Sequence, residues 1–165
     1  MSELKVVVRR AKPSDVPAIA GLVNAARQNR SPFSREEIKE RILQKGCRIA
    51  ISRQGAAMVG WQTENLVTLV DDFYIFPLTL LAELALPLLA EVEKAAGELA
   101  CEAIIFFLEQ NGPEEIFSLL LDKEYLPRQM ESLHPYWQEV AQERVGDGIV
   151  MMVKQVSDQV RIDPL

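Results

Sequence analysis

Two adjacent carboxylates, Asp71 and Asp72, are the residues of this sequence best suited to acid–base chemistry. They lie in the apolar and aromatic stretch 66–76, which predicts a β-strand, so their side chains should point to opposite faces of a sheet. One of them can act as a base that deprotonates an amine through a water molecule. The alternative is a solvated or hydrogen-bonded carboxylate without a catalytic role, and the sequence leaves both interpretations open.

Other residue types offer fewer arguments for chemistry. His134 is the only histidine, the side chain type that titrates near neutral pH, but it precedes Pro135 in a predicted loop and is more simply explained as structural or exposed. Among the aromatic residues, which we expect mostly in the core, Tyr74 is the best candidate for the wall of an apolar pocket. The sequence has no P-loop, no Gly-x-Ser-x-Gly, no Rossmann fingerprint and no zinc-like Cys/His spacing, so we expect no metal site.

The composition limits the class of protein. The 165 residues correspond to about one domain, and 48% of them are hydrophobic, enough to build a core. A net charge of -6 argues against nucleic acid as a partner, because binding to the phosphate backbone needs a concentrated basic face. Cys47 and Cys101 are far apart, which favours buried free thiols and a reducing cytoplasm. We expect no secretion signal and no membrane span, because charge and proline interrupt the apolar segment 78–92, which is also shorter than the roughly 20 residues of a span.

The first half of the chain predicts strands and helices in a clear order. Ser34 and Glu37 form a capping box in front of a helical apolar pattern, and Ser14 is the predicted cap of an earlier helix. Alternating and β-branched runs predict strands at 5–11, 47–53, 57–63 and 66–76. A long apolar helix follows Pro77, and Pro87 is expected in the first turn of its regular segment, since deeper in a helix it would remove a hydrogen bond.

The second half is predicted less completely. A strand at 103–108 follows the long helix so closely that it should be a parallel neighbour of the strand 66–76. Asn111 to Glu115 is a helix start with two carboxylates near the positive end of the helix dipole, and the helix itself is predicted at 116–122. Residues 128–133 are compatible with a strand, residues 134–145 with a polar loop or a helix, and residues 149–156 predict a final strand.

This order of elements, with the residues in it, resembles the GNAT superfamily of acetyl-coenzyme A dependent N-acetyltransferases. The resemblance rests on the motif Asp71-Asp72-Phe73-Tyr74-Ile75-Phe76-Pro77. At the family's spacing from this proline, the helix has Leu88-Leu89, Glu93, Ala96 and Ala100. The resemblance implies an α+β fold (α/β three-layer), a single domain at 1–156 and a tail at 157–165. It implies a central mixed, mostly antiparallel sheet of about six to seven strands, with about four helices and a parallel β-α-β core.

The resemblance also assigns site residues. Coenzyme A would bind at family positions occupied here by Tyr74, Ile75, Phe76, Leu80, Leu81, Glu83, Ala85 and Asn111. Asp71 or Asp72 would be the base, and Tyr125 is a candidate acid because the family's tyrosine position is Leu120 in this chain. In the family, an arginine or glutamine and glycines form the pyrophosphate loop, whereas Leu80, Leu81 and Glu83 stand there in this sequence. Of these loop positions, only Ala85 matches an accepted variant.

Two functional hypotheses follow. In the first, the scaffold is kept but the coenzyme A loop and the tyrosine have changed, which leaves a non-conventional or non-catalytic ligand-binding or regulatory protein. In the second, the chain is an active, divergent amine N-acetyltransferase that uses acetyl-coenzyme A, and proximity supplies much of the catalysis. The expected partner is a small amine or another small molecule. The leucines at 78, 80, 81 and 84 form either a packed helical start or an exposed patch that pairs two protomers.

Overall fold

The computed structural model describes residues 4–28, 30 and 32–160, and within them the chain forms seven strands and five α-helices. The strands are β1 (Val7–Arg10), β2 (Gly46–Ile51), β3 (Ala56–Glu64), β4 (Val67–Phe76), β5 (Ala103–Glu109), β6 (Leu126–Arg128) and β7 (Ile149–Gln155). The helices are α1 (Val16–Ala26), α2 (Arg35–Gln44), α3 (Leu81–Glu98), α4 (Glu114–Asp122) and α5 (Pro135–Ala141). Most predicted boundaries lie within about two residues of these.

The strands form one mixed sheet in the order β1-β2-β3-β4-β5-β7-β6. Strands β4 and β5 are parallel, with a register that runs from Val67↔Ala103 to Val70↔Phe106, and α3 connects them. The pairs β1–β2, β2–β3, β5–β7 and β6–β7 are antiparallel. The predicted α+β class, with a mostly antiparallel sheet and a parallel β-α-β core, is therefore confirmed.

The chain divides into two compact units, one made of residues up to Trp61 together with Asp72–Glu91, and one made of Gln62–Asp71 together with the residues from Val92 onward. In the first unit, α1 and α2 pack on β2 and β3 through buried residues that include Ile19, Val23, Ile38, Ile49 and Met58. In the second, α5 packs on β4, β5 and β7 through Leu69, Ile105, Trp137, Val140 and Met151. The single domain at 1–156 with a tail at 157–165 stays a prediction, and residues 161–165 lie outside the described part.

The structure confirms one of the two predicted helix caps and corrects the other. Ser34 caps α2 as predicted, because its hydroxyl accepts from the Glu37 backbone N–H at 3.2 Å and the Glu37 carboxylate accepts from Ser34 N. Ser14 does not cap α1: Pro13–Asp15 form a 3-10 turn, and α1 begins at Val16. The carboxylate of Asp15 accepts from Lys12 N at 2.7 Å and closes this 3-10 turn, and α1 itself has no side-chain cap.

The position predicted for Pro87 is wrong. Pro87 lies inside α3, which is continuous from Leu81 to Glu98. A proline in a helix interior costs about 3 kcal/mol through the missing N–H and the clash with the preceding turn. Leu84, Leu88 and Leu89 are buried around it, and each buried leucine contributes roughly 1.5–3 kcal/mol, so the burial of this face outweighs the cost of the proline.

The structure also decides between the alternatives predicted for the segment around His134. Of the predicted strand at 128–133, only Arg128 belongs to a strand, and Met130–Ser132 form a 3-10 turn. Residues 134–145 contain the short helix α5, which begins after His134, whose ring nitrogen Nδ1 accepts from Tyr136 N at 3.4 Å. Helix α4 begins at Glu114, slightly before the predicted Ile116. His134 therefore has a structural role as a helix cap.

Gly55 in the β2–β3 turn allows the chain to approach the end of β4 closely. A Cβ atom at Gly55 would lie 2.6 Å from the carbonyl oxygen of Phe76 and 2.6 Å from Cδ of Pro77. Because both neighbours are fixed by the backbone, we expect Gly55→Ala to lower the free energy of unfolding by about 1–3 kcal/mol, measured by urea denaturation. The matched control is Gly21→Ala in α1, where nothing lies within 4 Å of the added Cβ; it should be neutral or slightly stabilising. Equal effects of the two changes would contradict the role of close packing at Gly55.

Candidate functional site

Asp72 in β4 is a buried counter-ion. Its side chain is 1% exposed, and it forms salt bridges with Arg41 of α2 and with Lys45, whose Nζ lies 3.0 Å from Oδ2. Gly60 makes room for it on β3, since a Cβ atom there would lie 3.1 Å from Oδ2. The carboxylate thus links β4 to Arg41 of α2 and to Lys45, and loss of any partner would leave an uncompensated charge in a buried site. It is poorly placed to take a proton from a substrate.

Cys47 lies in the same part of the core. Burial, and secondly the negative charge of Asp72, raise the pKa of its thiol to about 12, so the side chain is neutral at physiological pH. Cys101 is also buried, and its sulfur lies 3.4 Å from the Thr68 hydroxyl that donates to it. The predicted free, buried state of both cysteines is confirmed, and neither is a nucleophile in this structure.

Asp71 has its own cationic partner. Nε of Arg144, in the segment between α5 and β7, lies 3.1 Å from Oδ1 and 3.2 Å from Oδ2 of Asp71. The same guanidinium donates through Nη2 to Gln62 at 2.6 Å and lies 3.7 Å from the carboxylate of Glu64. Arg144 therefore bridges β3 and β4 by contacting three side chains, those of Gln62, Glu64 and Asp71.

Tyr125 is fully buried, and its hydroxyl donates to Oε1 of Glu93 at 3.1 Å. The ammonium of Lys154 lies 3.1 Å from the same oxygen and 5.4 Å from the centroid of the tyrosine ring, which packs edge-on against Phe106. Burial, and secondly the charge of Glu93, raise the pKa of the Tyr125 hydroxyl well above its usual range. The hydroxyl is thus part of an internal network, and Leu120 is buried as well.

The segment after Pro77 is helical from its beginning. Leu78–Leu80 form a 3-10 turn, and α3 starts at Leu81. Of the positions that the resemblance assigns to coenzyme A, Ile75 and Ala85 belong to the core, and Tyr74 packs against the α1–α2 core. The others are exposed or partly buried: Phe76, Leu80, Leu81, Glu83 and Asn111. The four leucines at 78, 80, 81 and 84 are all buried or partly buried, which favours the packed helical start.

Sequence reasoning missed the partners of these residues. Arg41, Lys45 and Arg144 neutralise the two aspartates, and Glu93 holds the tyrosine. The separations along the chain, from 27 to 73 residues, leave no local signal for any of these contacts. Such pairings follow only from the register of the sheet and the packing of the helices.

Several solved acetyltransferases share this architecture. One is N-acetylglutamate synthase from Neisseria gonorrhoeae, complexed with coenzyme A and N-acetyl-glutamate, with a TM-score of 0.68 and 16% identity over 94% of this chain. A second is PaiA N-acetyltransferase from Thermoplasma acidophilum in complex with coenzyme A, with a TM-score of 0.69, 11% identity and coverage of 92% of this chain and 99% of that one. A third is an acetyltransferase of the GNAT family from Staphylococcus aureus Mu50, with a TM-score of 0.65, 10% identity and coverage of 93% and 100%. The chain has the GNAT fold.

The GNAT fold predicted from the motif around Asp71 and Pro77 is thereby confirmed. Because the identities are between 10% and 16%, the similarity concerns the fold alone. The chain spans 36% of the length of the N. gonorrhoeae synthase. No protein-family model matches the sequence, and no curated protein is significantly similar to it.

Two further observations apply to the part of this GNAT-fold chain that the structure describes. No helix in it is both long and apolar enough to cross a membrane. Its His, Cys, Asp and Glu side chains form no group of three or more that could hold a metal ion.

Proposed function

We propose that this GNAT-fold protein is a ligand-binding or regulatory member that does not carry out conventional acid–base catalysed acetyl transfer. One observation carries the proposal: each of the three candidate acid–base groups is engaged inside the protein. Asp71 is paired with Arg144, Asp72 with Arg41 and Lys45, and the hydroxyl of Tyr125 with Glu93.

These internal contacts oppose proton transfer for a physical reason. A general base or acid must reach the reacting group directly or through one water molecule. Asp72 is 1% exposed and is paired with Arg41 and Lys45, so its carboxylate is not open to a substrate. Ionisation of Tyr125, which would accompany its action as an acid, would place a second negative charge next to Glu93.

The start of α3 supports the same conclusion. Phosphate groups bind at helix N-termini where glycine allows the backbone N–H groups to come close. In this chain the corresponding segment carries the side chains of Leu80 and Leu81, and the exposed carboxylate of Glu83 lies in the first turn of α3. An anion that approached Glu83 to about 4 Å would meet a repulsion of about 1 kcal/mol in water and about 4 kcal/mol near a protein surface.

The alternative function is acetyl transfer from acetyl-coenzyme A to a small amine. The retained parallel pair β4–β5 favours it, as do the coenzyme A complexes of the N. gonorrhoeae and T. acidophilum proteins. In this alternative the amine would have to react without the assistance of Asp72 or Tyr125, and positioning would supply the rate enhancement.

Calorimetric titration with acetyl-coenzyme A distinguishes the two functions. We expect the unmodified protein to give no binding heat and no rise in melting temperature at ligand concentrations up to about 1 mM, which corresponds to less than roughly 4 kcal/mol of binding free energy. Glu83→Gly removes the charge and the side chain together, Glu83→Gln removes the charge alone, and Glu98→Gly near the other end of α3 is the matched control.

Micromolar binding by the unmodified protein, or release of free thiol from acetyl-coenzyme A in the presence of amines, would overturn the proposal. Absence of binding by all four proteins would instead exclude the acetyl transfer alternative. Binding that appears only in the Glu83→Gly variant would identify the first turn of α3 as the element that prevents it.

A further inference from the structure

An open groove of about 910 Å³ lies within the first unit of the chain. Three segments line it: the residues that lead into β1, the β2–β3 turn and the start of α3. It includes Leu80 and Glu83, two of the residues whose types argue against a pyrophosphate at that position. Leu80 and Glu83 therefore belong to a groove whose ligand has to be inferred from all of its lining residues.

Aliphatic side chains form the apolar part of the groove. Val7 and Ile51 face each other across the β1–β2 pair and are 50% and 36% exposed. Leu80, in the 3-10 turn before α3, adds to this surface. Its Cδ1 lies 3.1 Å from the position that a Cβ atom would take at Gly55. Exposed aliphatic residues that cluster in a concave site, rather than singly on a surface, are typical of a ligand site.

Two cations and one carboxylate line the same groove. Lys5 precedes β1, Arg53 lies in the β2–β3 turn, and Glu83 lies in α3. All three side chains are exposed, and none of them forms an ion pair with any residue that the structure describes. The lining thus carries one net positive charge beside an aliphatic surface.

We propose that this groove binds an amphipathic monoanion, namely an aliphatic carboxylate of medium chain length. The two cations complement its carboxylate, and the net charge of +1 matches a single negative charge rather than the two of a phosphate monoester. The surface of Val7, Ile51 and Leu80 covers its hydrocarbon chain. The volume lies within the range of small-molecule sites, about 300–1,000 Å³. This ligand goes beyond the proposed function and does not depend on whether acetyl-coenzyme A binds.

Calorimetric titration of the full chain with decanoate tests the proposal, with decyltrimethylammonium and decanol as probes of opposite and of no charge. We expect decanoate to bind about tenfold or more tightly than either probe. Arg53→Glu and Lys5→Glu should each weaken the binding by about tenfold, and Glu83→Gln should strengthen it. Val7→Asp should abolish it, because it places a carboxylate on the aliphatic surface.

Lys123→Glu is the matched control, since Lys123 is an exposed lysine outside the groove, and it should leave the affinity unchanged. The proposal is overturned if decanoate does not bind, if the ammonium probe binds equally well, or if charge reversal at Arg53 has no more effect than at Lys123. Displacement of bound decanoate by acetyl-coenzyme A would overturn the proposed function, because it requires acetyl-coenzyme A to bind, and it would leave the decanoate proposal standing; the failures of the two proposals are therefore distinguishable.

Discussion

Replacement of Asp72 by asparagine is expected to lower the free energy of unfolding by about 2–4 kcal/mol, measured by urea denaturation. Removal of one partner from a buried ion pair costs about 3–5 kcal/mol, because the remaining charge is left without compensation. Here two cations lose their counter-ion, but Arg41 is 31% exposed and can recover part of its hydration, which reduces the expected loss. Lys45, at 12% exposure, recovers less.

Asp71→Asn provides the control from the neighbouring residue. Asp71 is more exposed than Asp72, and its partner Arg144 keeps Gln62 and Glu64 as neighbours, so we expect a loss of about 1 kcal/mol or less. A combined Asp72→Asn, Arg41→Met and Lys45→Met variant should regain much of the lost stability, because no charge is then left unpaired. If Asp72→Asn is as stable as the unmodified protein, the carboxylate is not a structural counter-ion, and a catalytic role regains support.

The second large effect is expected at Tyr125. Tyr125→Ala removes a fully buried ring that packs edge-on against Phe106, and such a deletion costs about 3–5 kcal/mol. Tyr125→Phe keeps the ring and removes only the hydrogen bond to Glu93, so a loss of about 1 kcal/mol is expected. Glu93 keeps Lys154 as a partner in this variant, which limits the cost of the lost donor.

Both Tyr125 variants are to be measured by urea denaturation, together with any release of thiol from acetyl-coenzyme A. A general acid would show the opposite pattern from a structural tyrosine: Tyr125→Phe would keep its stability and lose the reaction. A structural network changes stability in both variants and leaves the response to acetyl-coenzyme A as it is in the unmodified protein.

The elements that the sequence predicts well are those determined by local chemistry. The capping box at Ser34 lies within four residues, and the Asp71–Pro77 motif with the strand at 103–108 determines the parallel β-α-β core. Predictions were poorer where tertiary packing opposes local preference. Pro87 is accommodated inside α3 because the leucines beside it are buried, which its own sequence position does not indicate.

The candidate site was predicted only in part, for a related reason. The positions of Asp71, Asp72 and Tyr125 in the chain were clear, but their availability depends on cations and carboxylates that are distant in sequence. The sequence also left helix α5 undecided between a loop and a helix. Its seven residues are stabilised by the packing of Trp137 and Val140 in the core rather than by helix propensity. Charge pairing between distant segments has no period and no motif, so residue types alone do not reveal it.

The close approach at Gly55 has a consequence for any attempt to restore a coenzyme A loop by engineering. The β2–β3 turn lies directly against Phe76, Pro77 and Leu80, so these residues and the turn share one packed surface. A glycine at position 80 would remove a side chain that covers this turn, but it would also leave a void beside Gly55. Restoration of the loop after Pro77 therefore requires a second, compensating change in the β2–β3 turn. Substitutions in these two segments are expected to be coupled.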